Sequence, residues 1–300
     1  MILIVGASGR LGGIVARRLL AAGMPVRAMS RTPAKLTALR QLGADVVEGD
    51  LRDPGSLARA CAGADAVLAA AHAFDSHGAN VPQTVDDAGN RQLIDAAHAA
   101  GAGHVVLTSI RGARPDHPVD LFRYKYAAEQ HLRESGLSYT IVRPTAFMEL
   151  WAEIIGEPIA RRGKAMIFGR GTNPINFVSA EDVAQIAVLA LTDPRARGQV
   201  IEIGGPRNLS LSQVVALVER ATGRQAAKQH IPRAMMRVMR VLTQSVSPAF
   251  SRQIATGIVM DTQDMTFDPA PTLARYPMTL TRMEDVVERL FGGGGAAKRA

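Results

Sequence analysis

Three glycines near the N-terminus constrain the fold of this chain more than any other feature of its sequence. Residues 2–5 form a short apolar run that ends at Gly6, and Gly9 and Gly12 follow at intervals of three residues. From Leu11 onward the apolar residues recur at helical spacing. A buried strand, a glycine turn and a helix N-terminus in this order form a cradle for nucleotide phosphates. The opening therefore predicts a dinucleotide-binding βα unit, with a purely structural turn as the alternative.

The spacing of the turn carries further information. The residues read GASGRLG, a GxxGxxG pattern in place of the commoner GxGxxG. Gly6 permits a backbone angle that a Cβ would forbid, Gly9 lets the backbone approach a pyrophosphate, and Gly12 lets the helix pack close to the strand. This form resembles the extended and atypical short-chain dehydrogenase/reductases. The cofactor contacts predicted in the turn are Gly6, Ser8, Gly9, Arg10, Leu11 and Gly12.

Length and composition restrict the class of protein. The chain has 300 residues, of which 47% are hydrophobic and 21% charged, as in globular proteins with one large domain or a core and a lobe. Cys61 is the only cysteine, which excludes an internal disulfide framework and suits a reducing cytosol. No apolar run approaches the ~20 residues that span a bilayer, and the N-terminal apolar run is too short for a signal peptide. A cytoplasmic location is therefore expected.

The charge balance is strongly basic, with a formal net charge of +8. Such a balance can indicate nucleic-acid binding. However, the chain has only four Tyr, eight Phe and one Trp, and it contains no zinc-ligand or RNA-binding signature. We therefore expect no nucleic-acid partner and no metal site, and attribute the excess of arginine to cofactor phosphates and a basic surface.

The end of the second predicted strand bears on the choice of coenzyme. NAD enzymes usually place an Asp or Glu there to accept hydrogen bonds from the ribose 2′-hydroxyl. Here the strand 25–29 runs into Ser-Arg-Thr, and no acidic residue precedes Asp45. Arg31, with Arg10 and Lys35, could instead surround a 2′-phosphate by charge-assisted hydrogen bonds. NADP(H) is therefore predicted over NAD(H), unless Arg31 is only a solvated turn residue.

Strands alternate with amphipathic helices through most of the chain, which predicts right-handed βαβ units and a parallel sheet. The predicted strands span residues 2–5, 25–29, 44–48, 64–71, 104–108, 137–143 and 199–203. We expect an α/β fold, a Rossmann-like doubly wound parallel sheet of about seven strands with a smaller C-terminal substrate lobe. The expected parts are a core at 1–150 completed by 176–204, a substrate or lid lobe at 151–175 and 205–291, and a flexible tail at 292–300.

Two loops at strand ends resemble cofactor contacts of the family. A Gly-Asp-Leu after the third strand lies against the adenine ring in the resembled proteins, which assigns Asp50 and Leu51 to that role. A loop or helix-capping role for Asp50 is the alternative, because an Asp-Pro pair soon begins another helix. The fourth strand ends in two small residues, Ala70 and Ala71, which suit a flat cofactor lying close to the backbone.

The loop 72–83 and the helix after it border the predicted active site, as loops at the carboxyl edge of a parallel sheet often do. The loop contains His72 and His77. Loop histidines are more commonly solvated, and neither is assigned a catalytic role. On the following helix, Asn90 resembles an asparagine of the family that steadies the active-site backbone or a water.

The family places a serine at the end of the fifth strand and a Tyr-x-x-x-Lys motif on the next helix. This spacing puts both side chains on one helix face, where the lysine holds the nicotinamide ribose and lowers the tyrosine pKa. Ser109 and Lys125 fit the serine and the lysine, but Leu121 stands where the tyrosine would be. Tyr124 and Tyr126 adjoin the lysine in sequence, yet on a helix they point about 100° away from it.

A chain that has the lysine but not the tyrosine resembles one branch of the family. This branch includes NmrA-like, quinone-reductase-like and isoflavone-reductase-like proteins, whose members commonly keep the lysine without the tyrosine. Lys125 is therefore predicted to bind the cofactor ribose, with a general-acid role as the alternative. Ser109 is predicted to contact substrate or cofactor, with a capping role as the alternative. The Arg-Pro after the sixth strand resembles the family's nicotinamide-side loop, which assigns Pro144 and Thr145 to cofactor binding, unless Pro144 only stops the strand.

A change of composition marks residues 220–260, which include seven basic residues and no acidic one. Arg233, Arg237 and Arg240 share one face of a predicted helix. The apolar residues of the opposite face are Met235, Val238, Met239 and Leu242. A basic amphipathic helix can bind an anionic membrane or a protein partner. We expect instead that its apolar face packs on its own domain, as a lid over the substrate cleft.

Two functions are consistent with these features. The first is an NADPH-dependent reductase of a small apolar carbonyl or quinone, in which Lys125 orients the ribose and Ser109 or a water assists the substrate oxygen. A quinone suits a site without the tyrosine, because its reduced product needs less forceful protonation than an alkoxide. The second is a catalytically silent NADP(H)-binding sensor, or an assembly or regulatory protein, which the missing tyrosine and the acid-free segment favour.

Overall fold

The computed structural model of the chain describes residues 1–74 and 78–293. His77 and residues 294–300 of the expected flexible tail lie outside these ranges. The described chain forms two compact units. The first comprises Met1–Pro144 and Val183–Glu202, and the second comprises Thr145–Asp182 with the described part of Ile203–Ala300.

Regular secondary structure is defined throughout both units. The strands are β1 (Ile2–Val5), β2 (Val26–Ser30), β3 (Asp45–Glu48), β4 (Ala66–Ala69), β5 (His104–Thr108), β6 (Tyr139–Pro144), β7 (Ala146–Phe147), β8 (Lys164–Phe168), β9 (Ile175–Val178), β10 (Gln199–Ile203), β11 (Asn208–Leu209) and β12 (Ala227–Ile231). The α-helices are α1 (Arg10–Ala21), α2 (Thr37–Gln41), α3 (Pro54–Cys61), α4 (Asn90–Ala99), α5 (Asp120–Glu134), α6 (Met148–Arg162), α7 (Ala180–Thr192), α8 (Leu211–Thr222), α9 (Arg233–Thr243), α10 (Pro248–Thr262), α11 (Ala270–Arg275) and α12 (Met283–Phe291). Short 3₁₀ turns, Pro33–Leu36 and Pro194–Ala196, precede α2 and follow α7.

Seven of the described strands form one sheet in the order β3-β2-β1-β4-β5-β6-β10. Neighbouring strands from β3 to β6 are parallel. β10 runs in the same direction, because Gly198 N donates to Tyr139 O and, further along both strands, Thr145 N donates to Ile203 O. The chain order reverses between β1 and β4, and doubly wound sheets bind ligands at the carboxyl ends of strands at such a switch point. The predicted Rossmann-like fold is confirmed.

The strands of this sheet are apolar because helices cover both of its faces. β1, β4 and β5 are buried along their whole lengths. Helices α1, α3 and α4 each bury one apolar side and leave polar residues on the other. Cys61, at the end of α3, is part of this core, and burial raises the pKa of its thiol to about 11. The one cysteine of the chain is therefore a core side chain.

The segment before α4 departs from the regular helix that the sequence predicts from residue 84. Gln83–Gly89 is π-helical, and α4 continues from it at Asn90. The Asn90 side chain is buried, and its Nδ2 donates to the main-chain oxygen of Asp86 at 2.9 Å. Asn90 therefore steadies the backbone of this segment, as the family resemblance implies. π-Helical turns inside helices occur frequently at functional sites.

The second unit has its own sheets and its own core. β9 lies between β7 and β11, and β8 pairs in parallel with β12. Since β9 pairs within this unit, residues 176–182 belong to it and not to the core that the sequence predicts. Helices α6, α8 and α12 bury their apolar faces in one cluster, which encloses Trp151.

Helix α9 does not pack as the sequence predicts. Met236 is the one buried residue of this described helix, and the apolar side chains expected to face the lobe are largely exposed. Contacts to the unit come from the basic side, where Arg233 Nε lies 3.3 Å from the buried carboxylate of Asp261. In addition, Ser251 Oγ of α10 donates to the main-chain oxygen of Arg240 at 3.1 Å. The expectation that α9 buries its apolar face on its own domain is therefore wrong.

Candidate functional site

The glycine turn after β1 forms as the sequence predicts, and its geometry explains the need for glycine. Gly6 adopts a positive φ of 88°, and a Cβ built on it would lie 2.8 Å from the main-chain nitrogen of Ala71. A Cβ on Gly12 would overlap the carbonyl oxygen of Gly6. Gly9 N donates to Gly6 O at 2.9 Å, and Gly9 is the N-cap of α1. The turn therefore brings backbones closer together than side chains would allow.

This turn lines a cleft of about 210 Å³ at the carboxyl ends of β1, β2 and β4, within the first unit. The cleft lies where the switch point of the sheet predicts a ligand. The predicted cofactor residues that line it are Gly6, Ser8, Gly9, Arg31, Lys35, Asp50, Leu51, Ala70 and Ala71. The predicted cofactor residues that are not among its lining residues are Arg10, Leu11, Gly12, Ser109, Lys125, Pro144 and Thr145. Leu11 and Gly12 are instead buried in α1.

One end of the cleft lies at the end of β2, where NAD-binding enzymes usually carry an acidic residue. β2 ends at Ser30, which is buried. The Ser30 hydroxyl donates to Ser8 Oγ at 3.2 Å and accepts from Thr32 N at 3.1 Å. Hydroxyl groups therefore stand where a carboxylate would bind the ribose 2′-hydroxyl.

The same end of the cleft carries positive charge from Arg31 and Lys35, which are exposed. The Arg31 guanidinium donates to the side-chain oxygen of Asn80, which also lines the cleft. Sequence reasoning missed Asn80 because it lies in a loop without a motif. Among the described residues that line the cleft, Asp50 is the only acidic one. An anionic group such as a phosphate fits this end by its charge.

Asp50 follows β3 and is held by its neighbour Arg52. Asp50 Oδ1 accepts from Arg52 N at 2.9 Å, and Oδ2 accepts from Arg52 Nη2 at 2.5 Å. The Arg52 guanidinium lowers the pKa of Asp50, so that its carboxylate stays ionised. The N-cap of α3 is Asp53, whose side chain accepts from Gly55 N at 3.0 Å. Asp50 is therefore a turn residue at the cleft, and the capping role belongs to Asp53.

Lys125, on α5, is buried with its ammonium paired to a carboxylate. Its Nζ lies 2.9 Å from Asp86 Oδ1 and donates to the main-chain oxygen of Thr108 at 3.0 Å. The other oxygen of Asp86 accepts from Ala73 N at 3.0 Å, and Ala73 lines the cleft. The two charged side chains are only 6% and 0% exposed. This pair therefore joins α5 to the π-helical segment and to the wall of the cleft.

Asp86 is a candidate functional residue that sequence reasoning missed. Its position four residues before Asn90, on the helix after a strand-end loop, is the signal that could have found it. The next residue, Asp87, forms an i,i+4 ion pair with Arg91 at 2.6 Å, with both side chains partly exposed. The two adjacent carboxylates therefore differ in burial, one inside the unit and the other at its surface.

The position of the family's tyrosine is apolar in the structure as in the sequence. Leu121 stands four residues before Lys125 and is buried. Tyr124 and Tyr126 lie on α5 on either side of Lys125 and are half-buried. Neither phenol occurs at the position from which the family's tyrosine acts.

Ser109 is held by a side chain of the same unit. Ser109 follows β5 and is buried, and its Oγ donates to Oε1 of Glu129 on α5. Arg143 holds the same carboxylate by two bonds, at 2.9 Å and 2.5 Å, and this pairing raises the pKa of Arg143. The Ser109 hydroxyl therefore donates to an interior carboxylate, and the contact with substrate or cofactor predicted for Ser109 stays a prediction. Sequence reasoning missed Glu129, because its place in an Ala-Ala-Glu run was the only signal that the sequence offered for it.

Pro144 and Thr145 take part in strand pairing. The main-chain oxygen of Pro144 accepts from Arg111 N at 2.9 Å, and Thr145 N donates to Ile203 O at 2.9 Å. The Thr145 hydroxyl donates to Asn176 Oδ1 at 3.0 Å. The nicotinamide-side role that the resemblance assigns to both residues stays a prediction.

The chemistry of the cleft suits a phosphorylated dinucleotide. The N-terminus of α1 offers main-chain N–H groups, Gly6 keeps its surface free of a side chain, and one end is basic. Within residues 1–74 and 78–293, no group of three or more His, Cys, Asp and Glu side chains is arranged to hold a metal ion. The glycine turn and the basic end of the cleft suit the recognition of phosphate groups.

Comparison with known proteins agrees with this geometry. Residues 6–194 match the NAD(P)H-binding protein family. The chain is 35% identical over 228 residues to an NAD(P)H azoreductase of Xenophilus azovorans, covering 75% of this chain and 74% of that protein. It is 30% identical over 305 aligned positions to the Photosystem II assembly factor Ycf39 of Synechocystis sp., covering 97% and 90%. The crystal structure of NADPH-dependent quinone oxidoreductase QOR2 from Escherichia coli, complexed with NADPH, has a TM-score of 0.77 at 25% identity, covering 97% of this chain and 100% of that one.

The matched residues include the glycine turn, every residue that lines the cleft except Val5, and Lys125. The resemblance to the atypical short-chain dehydrogenase/reductases, first visible in the glycine spacing, is thereby confirmed. A match of this extent, over the residues that build the cleft, shows that the chain belongs to the NAD(P)H-binding family.

Proposed function

We propose that this protein is an NADPH-dependent reductase of a small apolar quinone or carbonyl compound. The observation that carries the proposal is the cleft at the switch point, with its glycine wall and its basic end. The substrate class is supported by the likeness to an NAD(P)H azoreductase and to an NADPH-dependent quinone oxidoreductase. Azo compounds and quinones are both conjugated electron acceptors, which makes reduction of such an acceptor the shared chemistry.

Different parts of the cleft would hold different parts of the coenzyme. The glycine turn and the N-terminus of α1 would hold the pyrophosphate. Asp50 and Leu51 would contact the adenine, and Ala70 and Ala71 would let the dinucleotide lie close to the backbone. Arg31 would exchange its bond to Asn80 for bonds to the 2′-phosphate, with Lys35 adding charge.

Lys125 would hold the nicotinamide ribose. Lys125 donates to the Thr108 carbonyl and is ion-paired with Asp86, and an ammonium group has three hydrogens to donate. One of these hydrogens would bond a ribose hydroxyl. The coenzyme supplies a hydride when bound, and Asp86 holds the lysine in place. Since a hydroquinone needs less forceful protonation than an alkoxide, a quinone is compatible with Leu121 in the tyrosine position.

Turnover is the experiment that tests this proposal. Purified protein is given NADPH with a panel of quinones, aldehydes and ketones, and absorbance of the reduced nicotinamide is followed. We expect oxidation with quinones, and a decrease of kcat/KM by about 100-fold in Lys125→Met, because a misplaced cofactor reacts poorly. Lys164→Met, at an exposed lysine of β8, serves as the control and should retain full turnover. Absence of turnover over the whole panel, with intact NADPH binding, contradicts the reductase.

A second candidate function is a catalytically silent NADP(H)-binding sensor or assembly protein. Two observations favour it, namely the likeness to a Photosystem II assembly factor over 97% of this chain and the lack of a phenol four residues before Lys125. Both candidates bind the coenzyme, so the turnover assay separates them and a binding assay does not.

Coenzyme choice provides a further prediction. Replacing Arg31 by alanine should weaken NADPH binding by about ten- to hundredfold, because charge-assisted hydrogen bonds to the 2′-phosphate are lost. NADH lacks this phosphate, and its affinity should change little. Titration of both coenzymes against both proteins measures the effect, with Arg59→Ala on the exposed side of α3 as the control. An equal loss of NADPH and NADH affinity would show that Arg31 does not read the 2′-phosphate.

A further inference from the structure

The second unit exposes an apolar surface that the cofactor site does not use. This surface, here called the α9 face, consists of Met235, Val238, Val241 and Leu242 of α9 and Val246 in the turn after it. Their exposed fractions are 52%, 59%, 71%, 69% and 86%. On α9 the four residues lie along one side, at helical spacing. Exposed apolar residues that lie together mark interaction sites more often than exposed apolar residues that are scattered over the surface.

The charge around the α9 face is of one sign. Residues 220–260 include seven basic residues and no acidic one. On α9 itself, Arg233, Arg237 and Arg240 share one side, and Arg237 borders Val241 of the α9 face one turn later. The first acidic residue after this segment, Asp261, is buried and already lies within 3.4 Å of Arg170 and 3.3 Å of Arg233. The surroundings of the α9 face therefore attract anions.

We propose that the α9 face docks on an anionic phospholipid surface, with the helix lying along the interface. Helices that lie in this way combine an apolar face with a polar face rich in Lys and Arg, as α9 does. Basic residues within a Debye length of the surface are attracted to anionic headgroups, and long arginine side chains can reach them from the polar face. No helix within residues 1–74 and 78–293 combines the length and the apolar character needed to cross a bilayer, so the contact is one of docking.

A protein partner fits the α9 face less well. The anchor residues of protein interfaces are enriched in Trp, Tyr and Arg, whereas the five residues of the α9 face include no aromatic side chain. A second copy of this chain is also a poor occupant, because pairing the same face would bring together two segments without an acidic residue. Apolar side chains in a segment with an excess of basic residues match the two layers of an anionic bilayer surface.

Vesicle sedimentation of the full chain tests the proposal. The probes are vesicles of phosphatidylcholine alone and vesicles of phosphatidylcholine with phosphatidylglycerol. We expect the protein to sediment with the anionic vesicles only, and Leu242→Asp to bind them at least about tenfold more weakly. Leu42→Asp, at a leucine 55% exposed in the first unit, is the matched control and should bind like the parent. Arg237→Glu should weaken binding through charge alone, and Val241→Ser replaces Leu242→Asp if that variant does not fold.

Other outcomes would overturn the proposal. These are equal binding to both kinds of vesicle, no binding to either, or an equal loss of binding in Leu242→Asp and Leu42→Asp. A dimer in sedimentation equilibrium without vesicles that Leu242→Asp dissociates would assign the face to a second copy. NADPH binding by the same variants reports on the first unit, so failure of the docking proposal leaves the proposed reductase function untouched.

Discussion

Replacing Asp86 by alanine should lower the free energy of unfolding by about 3–5 kcal/mol, because the substitution leaves the Lys125 ammonium buried without a counter-charge. Both side chains are almost fully buried, so water cannot compensate for the lost partner. The Ala73 N–H also loses its acceptor. Chemical unfolding followed by circular dichroism measures the effect.

Two further variants test whether the loss of stability in Asp86→Ala comes from the broken ion pair or from the loss of a side chain in this segment. Asp87→Ala removes the neighbouring carboxylate, whose pair with Arg91 is partly exposed, and should cost no more than about 1 kcal/mol. The double variant Asp86→Leu/Lys125→Met removes both charges and should recover much of the stability lost in Asp86→Ala. Equal effects of Asp86→Ala and Asp87→Ala would contradict the buried ion pair.

Replacing Gly6 by alanine should abolish coenzyme binding, because a methyl group there lies 2.8 Å from Ala71 N and forces the two walls of the cleft apart. Alanine also resists the positive φ of 88°. Titration with NADPH, together with thermal unfolding, measures both consequences.

A second glycine provides the control for backbone strain. Gly63 has a similar φ of 70°, but a Cβ there has no atom within 4 Å. Gly63→Ala should therefore cost about 1–2 kcal/mol of stability and leave NADPH affinity unchanged. If Gly6→Ala binds NADPH as tightly as Gly63→Ala, the site does not depend on the close approach of the Gly6 and Ala71 backbones.

The elements that the sequence predicts best are those with a local signal. β1 and its turn follow from four apolar residues and three glycines, each glycine being needed for a contact within the turn or with its neighbour strand. Arg31, Asp50 and Ala71 were predictable because the carboxyl ends of parallel strands meet at one edge, so that residues just after β2, β3 and β4 line one cleft.

The missed features depend on partners that are distant in sequence. The carboxylate that holds Ser109 comes from Glu129, which lies on another element. Asp86 and Asp87 are alike in sequence. Asp86 is buried because it pairs with Lys125 on another helix, whereas Asp87 pairs with Arg91 at the surface. The periodicity of α9 predicts an apolar face but not what covers it, and the helix is attached through Met236 and its basic side.

The central claim is that the glycine turn and the strand ends beside it form a nicotinamide dinucleotide site. Isothermal titration calorimetry of the full chain with NADPH tests this most directly. We expect saturable binding of one NADPH per chain, weaker binding of NADH, and no binding to Gly6→Ala. Absence of saturable heat with either coenzyme would contradict it.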